Sequence, residues 1–311
     1  MTPPLSIVVV AYDMARELPR TLRSLSPACQ RQIDRDDYEV VVVDNGSPRE
    51  VEPDVLTAFG GHLRVVRLDD GGPSPAAAAN VGLAEARGEL IGLVVDGARM
   101  ASPGLLRTAR LAAGLDPRPV VATLAWHLGP DRHMEADAVG WDQAAEDALL
   151  AGLDWERDGY QLFGVSTLAA SSGRGWFGPI GESSALFLPR ALWEELGGLD
   201  ERFDLPGGGL VNHDLYRRAC ELDRTELVVL LGEGTFHQFH GGAATSRRLT
   251  WDVMHDQYEQ LRGRAYRPPS RSPWYVGHVR PEIMGHLQES LRLAEERAAR
   301  LSARASGSHP G

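Results

Sequence analysis

Ser6-Ile-Val-Val-Val-Ala-Tyr-Asp13, Glu39-Val-Val-Val-Val-Asp-Asn-Gly-Ser47 and Leu90-Ile-Gly-Leu-Val-Val-Asp96 follow one another along the chain. Each is a short β-branched apolar run that ends in an acidic or polar residue. Such runs read as parallel strands buried on both faces. Ligands of open α/β sheets collect at the carboxyl ends of the strands, so Asp13, Asp44 and Asp96 are expected along one rim. Three acids on one rim suit a base, a sugar hydroxyl or a metal-bound phosphate.

Between these runs the pattern switches to helical spacing. Leu18, Leu22 and Leu25 predict a helix closed by Pro27, and residues 50–59 predict a short one. Leu63–Leu68 reads as a third strand, and Asp69 to Pro75 as a loop rich in Gly and Pro. Ala76–Ala86 reads as a helix leading to the strand at Leu90. Alternation with such short links argues for right-handed βαβ units in a mostly parallel sheet. Further on, helices are expected over 103–113, 189–196 and 214–222, and strands over 120–125, 184–188 and 226–231. The stretch from Trp126 to Gly181 is rich in Trp, Gly and acids; its tryptophans suit stacking on a sugar or core packing. Met284, Leu287, Leu291, Ala294, Ala298 and Leu301 keep helical spacing, which predicts one long amphipathic helix. The last residues, 305–311, are expected to be a disordered tail.

With 311 residues, 43% of them hydrophobic, the chain can bury a sizeable core. The net charge of −11 makes neither nucleic acid nor an anionic membrane an obvious partner. The chain contains no lysine, which rules out a Walker-type phosphate loop and a Schiff base. Cys29 and Cys220 show no metal-ligand spacing and no disulfide framework, as suits a reducing cytoplasm. No leader pattern and no apolar run of transmembrane length is present, so a soluble, cytoplasmic protein is expected.

Several motifs in order resemble a family 2 glycosyltransferase of the GT-A fold. They are Tyr12-Asp13 after the first strand, Val43-Asp-Asn-Gly-Ser47 after the second, and Ala78-Ala-Asn-Val-Gly82 opening a helix that leads to Asp96. Gly197-Gly-Leu-Asp-Glu-Arg-Phe203, the Asp214 to Arg218 helix and His240-Gly-Gly242 follow. The matches cover roughly residues 5–100 and 180–246. The resemblance implies a GT-A-like domain over 1–250, with a nucleotide-sugar-binding half at 1–100 and an acceptor and catalytic half at 101–250. A C-terminal helical extension over 251–304 would follow, suited to a homodimer contact or to covering the sheet edge.

The implied activity is transfer of a sugar from a nucleotide-diphosphate-sugar donor to an acceptor hydroxyl, metal-assisted and inverting. Ala11, Tyr12, Asp13 and Asp44 would line the nucleotide site, and Asn80 would lie beside the sugar-diphosphate. Arg247 and Arg248 would grip the diphosphate. Charge builds on the leaving diphosphate, and a divalent cation such as Mg²⁺ or Mn²⁺ offsets it. Asp96 is its expected ligand, but the second acid of the family's Asp-x-Asp motif is replaced by Ala98. His237 and His240 are the candidates to supplement it.

The family's catalytic carboxylate falls on Asn212, which cannot take a proton, with His213 and Asp214 beside it. Three readings stay open: Asp214 or His213 as base, a retaining reaction without a protein base, or binding without turnover. Asp214 suits a helix N-cap equally well. A sugar nucleotidyltransferase is disfavoured, because residues 11–19 lack a glycine-rich loop.

Overall fold

The structure is a computed structural model that describes residues 4–49, 60–133, 140–240 and 250–306. Its centre is a ten-stranded mixed sheet. Strand β1 (Leu5–Ala11) lies between β2 (Tyr38–Asp44) and β4 (Leu90–Val94), and β3 (Leu63–Arg67) lies outside β2. These four are parallel. Strand β8 (Leu186–Pro189) runs antiparallel to β4 and joins it to β6 (Pro119–Leu128). Beyond β6 come β9 (Glu226–His237) and the edge strand β10 (Trp274–Gly277), both parallel to it in turn. Short β5 (Arg99–Ala101) pairs with β9, and β7 (Ser166–Leu168) with β6.

The parallel half follows from its sequence. A strand with every residue apolar has two faces to bury, and helices on both sides cover them. Val8, Val10, Val41 and Val43 face one core, where helix α2 (Ala76–Glu85) packs. Ile7, Val9, Val40 and Val42 face the other, with Leu18 and Leu22 of helix α1 (Leu18–Ser24). Alternate residues go to opposite cores, as a period of two requires. A Cβ on Gly82 would stand 2.3 Å from Val8 Cγ1, so glycine lets α2 lie close on the sheet.

Helix α3 (Leu105–Ala113) follows β5, and α4 (Gln143–Ala151) is capped by Asp142, whose carboxylate accepts the Ala145 N–H. Helix α5 (Arg190–Leu196) follows β8, α6 (Val211–Glu221) precedes β9, and α7 (Trp251–Arg262) is capped by Thr250. Helix α8 (Met284–Ser306) ends the described chain.

The expected fold class holds: an α/β GT-A architecture with a C-terminal helix. Several elements differ in extent. Strand β9 runs six residues past Leu231, because polar Glu233 and Thr235 are buried within it and break the apolar pattern. Glu233 is satisfied there by Ser102 Oγ at 2.5 Å and Tyr160 Oη at 2.6 Å. Helix α6 starts at Val211 rather than 214. Helices α4 and α7 and strand β10 were not apparent from the spacing. The helix expected over 50–59 lies outside the described residues, as do 307–311, while α8 carries regular structure to Ser306. Trp126, Trp155 and Trp176 are core residues. Both cysteines are free.

Candidate active site

The register of β1 against β2 places Ala11 opposite Asp44. Strands β2 and β4 flank β1 on opposite sides, so the crevice at the carboxyl end of β1 is the switch point of the sheet. Ala11 contributes backbone there: its carbonyl accepts the Asn45 N–H at 2.8 Å. Tyr12 is exposed beside it. Asp13 adopts φ +50°, a left-handed conformation uncommon outside glycine, and its N–H donates to Ser47 Oγ at 2.8 Å. Its carboxylate meets Arg49 at 3.2 Å. Asp44 is buried. Its Oδ1 accepts the Ser47 N–H at 2.9 Å, and its Oδ2 meets Arg67 at 2.8 Å. Gly46 turns the loop at φ +79°, where a Cβ would meet Gly71 N at 2.9 Å. These four residues therefore gather as expected.

Asn80 does not join them. Its Nδ2 donates to Leu199 O and Glu201 Oε1, and its Oδ1 accepts the Leu199 N–H at 2.8 Å. The amide fastens α2 to the Gly197–Leu199 turn. Arg247 and Arg248 lie outside the described residues.

Asp96 sits two residues beyond β4, and the far end of β9 brings two imidazoles to it. Asp96 Oδ2 lies 2.7 Å from His237 Nε2 and 3.5 Å from His240 Nε2; the two Nε2 atoms are 3.0 Å apart. Ligands at 2.0–2.1 Å from an octahedral cation stand about 3 Å apart, so the three atoms suit one face of such a site. Asp96 Oδ1 meanwhile accepts the Ala98 N–H at 2.9 Å, so the residue in place of the second acid braces the first through its backbone.

Burial would raise Asp96, but His237 and His240 outweigh it and hold the carboxyl well below the usual range. Burial lowers His237 to about 3, so it stays neutral. For His240 burial is outweighed by Asp96, and the imidazole is raised. The site is thus an anion, a neutral imidazole and one titratable imidazole.

Two further histidines belong to the cluster and were missed. His127 ends β6 directly opposite His237 in the register of β9. His133 stacks on His127 at 4.3 Å and lies 5.1 Å from His237. Burial lowers both, His133 to about 4. One signal was in the sequence: β6 and β9 both close on an aromatic residue followed by His, Trp126-His127 and Phe236-His237.

The loop carrying His240 is pinned from the α4 side. The Phe239 N–H donates to Glu146 Oε2 at 2.7 Å, and Arg16 donates to Phe239 O at 3.1 Å. Glu146 is fully buried, and burial raises it to about 7 against its bonds from Phe239 and Arg16. An open depression of about 340 Å³ lies beside His240, between Phe239 and the start of α4.

The base candidates part company. Helix α6 has Leu210 as its N-cap, so Asp214 lies inside the first turn and caps nothing. Its oxygens take Arg218 Nε at 2.8 Å, Arg262 Nε at 2.5 Å and Arg262 Nη2 at 2.7 Å. Both oxygens of this buried carboxylate are taken up by two guanidiniums, which sets Asp214 in an ion-pair network joining α6 to α7. Asp214, a candidate base from the sequence, is here engaged by Arg218 and Arg262. Among the described residues, Asn212 makes no side-chain hydrogen bond. His213 is buried, with an unpartnered Nδ1 that lies 3.6 Å from Glu182 Oε2, and its ring packs on Tyr266 and Trp251. Burial lowers its pKa, opposed by Glu182. Glu182 precedes β8, whose antiparallel register sets Leu186 opposite Leu93 and so brings Glu182 towards the rim of β4.

A mostly parallel sheet with a nucleotide-type crevice at β1, a rim acid after β4 and an antiparallel strand beside it defines a GT-A architecture. Residues 6–97 match the model of glycosyl transferase family 2, the family whose motifs the sequence resembles. No curated protein matches the sequence.

Among solved structures the chain is similar to S. aureus TarS 1-349 in complex with UDP-GlcNAc. The TM-score is 0.54 and the identity 16%, over 83% of this chain and 64% of that one. It is also similar to S. aureus TarS, with TM-score 0.52 and 13% identity over 83% of this chain and 42% of that one. A further TarS 1-349 structure gives TM-score 0.52 and 16% identity over 75% and 60%. The chain thus spans less than two thirds of the length of these three structures. Among the described residues, no helix is long and apolar enough to cross a membrane.

Proposed function

We propose that this protein is a glycosyltransferase that moves a sugar from a nucleotide-diphosphate sugar to an acceptor hydroxyl. The observation that carries the reading is Asp96 with His237 and His240 at the end of β4, bordering the segment that matches the family model. A UDP-linked hexose is the donor class to try first, because TarS 1-349 is complexed with UDP-GlcNAc and with UDP. Ala11, Tyr12, Asp13 and Asp44 receive the nucleoside. Asp96 and His240, with His237 beside them, hold a divalent cation of the Mg²⁺ or Mn²⁺ class. Such an ion neutralises charge building on the departing diphosphate.

The acceptor oxygen attacks the anomeric carbon, the bond to the diphosphate oxygen breaks, and the nucleoside diphosphate leaves with the electron pair. His213 takes the acceptor proton, with Glu182 facing its Nδ1, which gives an inverting reaction. The second reading is a nucleotide-sugar-binding protein without turnover; Asn212 at the family's base position and the locked Asp214 favour it. The exposed stripe of Met284, Leu291 and Leu301 on α8 suits a homodimer contact, and a cytoplasmic location suits the two free cysteines.

The test is thermal stability against UDP-, GDP-, dTDP- and CDP-sugars, each with and without Mn²⁺. A ligand that binds only the folded state raises the melting temperature. A shift with UDP-sugars that grows with Mn²⁺ is expected, followed by slow donor hydrolysis without acceptor. A shift without any hydrolysis favours the binding protein, and no shift with any nucleotide overturns both readings.

A further inference from the structure

The overall charge of −11 conceals a local reversal at the C-terminus. From residue 297 onward the chain carries Arg297, Arg300 and Arg304 and no acid. The spacing of three sets Arg297 and Arg300 on one face of α8. Residues 295–303 are all exposed. A groove of about 310 Å³ lies between this end of α8 and the turn at Arg174. Leu293, Ala294 and Leu301 form its apolar wall, and Arg174, Arg297 and Arg300 its charged one.

Most guanidiniums here are spent on carboxylates or carbonyls: Arg16, Arg218 and Arg262 each make several such bonds. Arg174, Arg297 and Arg300 have no ion pair or side-chain hydrogen bond with any described residue. Of the nearby acids of α8, Glu289 and Glu296 are engaged by Arg292, and Glu295 is exposed. Tyr275 packs on Phe177 at 5.4 Å, and its hydroxyl donates to Trp176 O. Trp274, Val279, Met284 and Leu291 are exposed in the same C-terminal segment.

We propose that this face docks on an anionic lipid bilayer, with the arginines on the phosphate headgroups and Leu301 and its apolar neighbours among the acyl boundary. Arginines flanking exposed leucine and aromatic surface are what an interfacial element presents to lipid. A soluble polyanion would satisfy the guanidiniums but leave the apolar wall in water. The global negative charge does not forbid the contact. At physiological salt the screening length is about 8 Å, so the bilayer reads the nearest charges rather than the sum. The inference stands independently of the donor reading, and it would carry the catalytic domain to a surface where lipid-linked acceptors reside.

The test is co-sedimentation of the full chain with phosphatidylcholine vesicles, with and without phosphatidylglycerol, and no nucleotide. Binding is expected only with phosphatidylglycerol, and loss of it as salt rises towards 1 M, where screening falls to about 3 Å. Each basic residue near such a surface adds about fivefold to partition. The double variant Arg297→Gln/Arg300→Gln should therefore bind about 25-fold more weakly. Both positions are exposed, and an unchanged circular dichroism spectrum confirms the fold. Equal binding to neutral vesicles, undiminished binding of the variant, or no binding at low salt each overturns the proposal. Saturation by inorganic phosphate without vesicle binding also overturns it, and would make the groove a site for a lone anion.

Discussion

The end of β4 and the first turn of α6 each present one acid in a nearly closed setting, and the two could hardly be treated more differently. Asp96 faces imidazoles, from His237 at 2.7 Å and His240 at 3.5 Å. Asp214 faces guanidiniums, from Arg218 at 2.8 Å and Arg262 at 2.5 Å. An imidazole loses its proton near neutrality and can turn a lone pair to a metal, whereas a guanidinium does neither. The first acid is therefore kept available, and the second is permanently neutralised. Arg262 extends the second setting by bonding Asp200 at 2.8 Å, which ties α6 and α7 to the Gly197–Asp200 turn. Burial of an acid says little about its task until its partners are known.

Crossed substitutions break this comparison most sharply. Arg262→Ala leaves Asp214 buried with half its partners, and loss of one member of a buried pair costs about 3–5 kcal/mol. That should lower the denaturation midpoint, while folded protein keeps its nucleotide-induced thermal shift. Asp96→Asn should do the reverse. Turnover should fall about 10³-fold, a loss typical of removing one fixed electrostatic contact to a transition state, and the Mn²⁺-dependent part of the shift should vanish. If Asp96→Asn unfolds the protein and Arg262→Ala abolishes turnover at unchanged stability, the assignment of the two acids is inverted.

Acid separates the same regions by pH window. Burial holds His133 neutral, with a pKa of about 4 in the folded protein against about 6.5 in the unfolded chain. The unfolded chain takes up the proton first, so stability declines as pH falls from 6.5 towards 4. A shift of this size is worth about 3 kcal/mol. His127 and His237 add to the slope in the same direction. Asp200 is depressed by Arg202 and Arg262, so its contribution persists above the usual carboxylate range and is lost only as pH falls through its lowered value. The rim at Asp96 should open at milder acidity than the α6–α7 network, as hydrogen exchange at each region would reveal. His133→Gln should flatten the slope between pH 6.5 and 4; an unchanged slope would mean His133 already titrates normally.

The donor half was legible because a buried parallel strand leaves few alternatives. Three all-apolar runs fixed β1, β2 and β4, and the acids at their ends had one rim to occupy. The second half was not, because its site is made by long-range pairing. His127 meets His237 through the parallel pairing of β6 with β9, 110 residues apart in sequence. Arg262, which decides what Asp214 is, lies 48 residues beyond it on a helix whose pattern did not stand out. Asn80 misled for a related reason: its residue type matches the family motif, while its amide is consumed by a turn 119 residues away.

Glu182→Gln tests what replaces Asp214. Loss of the charge 3.6 Å from His213 removes the effect that opposes burial and lets the imidazole fall further. The acid limb of turnover should move to lower pH, and the rate should drop about tenfold, less than the roughly 10²–10⁴-fold carried by a general base itself. A purely structural Glu182 would change stability and leave the limb where it was.

Asp44 offers the finest test, because it stands between the two extremes. It is buried like Asp214, but Arg67 is partly exposed and its ion pair is open to solvent on one side. Its other oxygen is spent on the Ser47 N–H, which shapes the loop rather than neutralising charge. Screening and side-chain entropy hold such a pair to about 0–1 kcal/mol. Arg67→Ala should therefore cost less than about 1 kcal/mol in a denaturant titration, well below Arg262→Ala. A cost as large as that of Arg262→Ala would place Asp44 with Asp214 among the structural anions and remove it from the nucleotide site. A small cost keeps Asp44 with Asp96, as an acid whose protein partner can yield to a ligand.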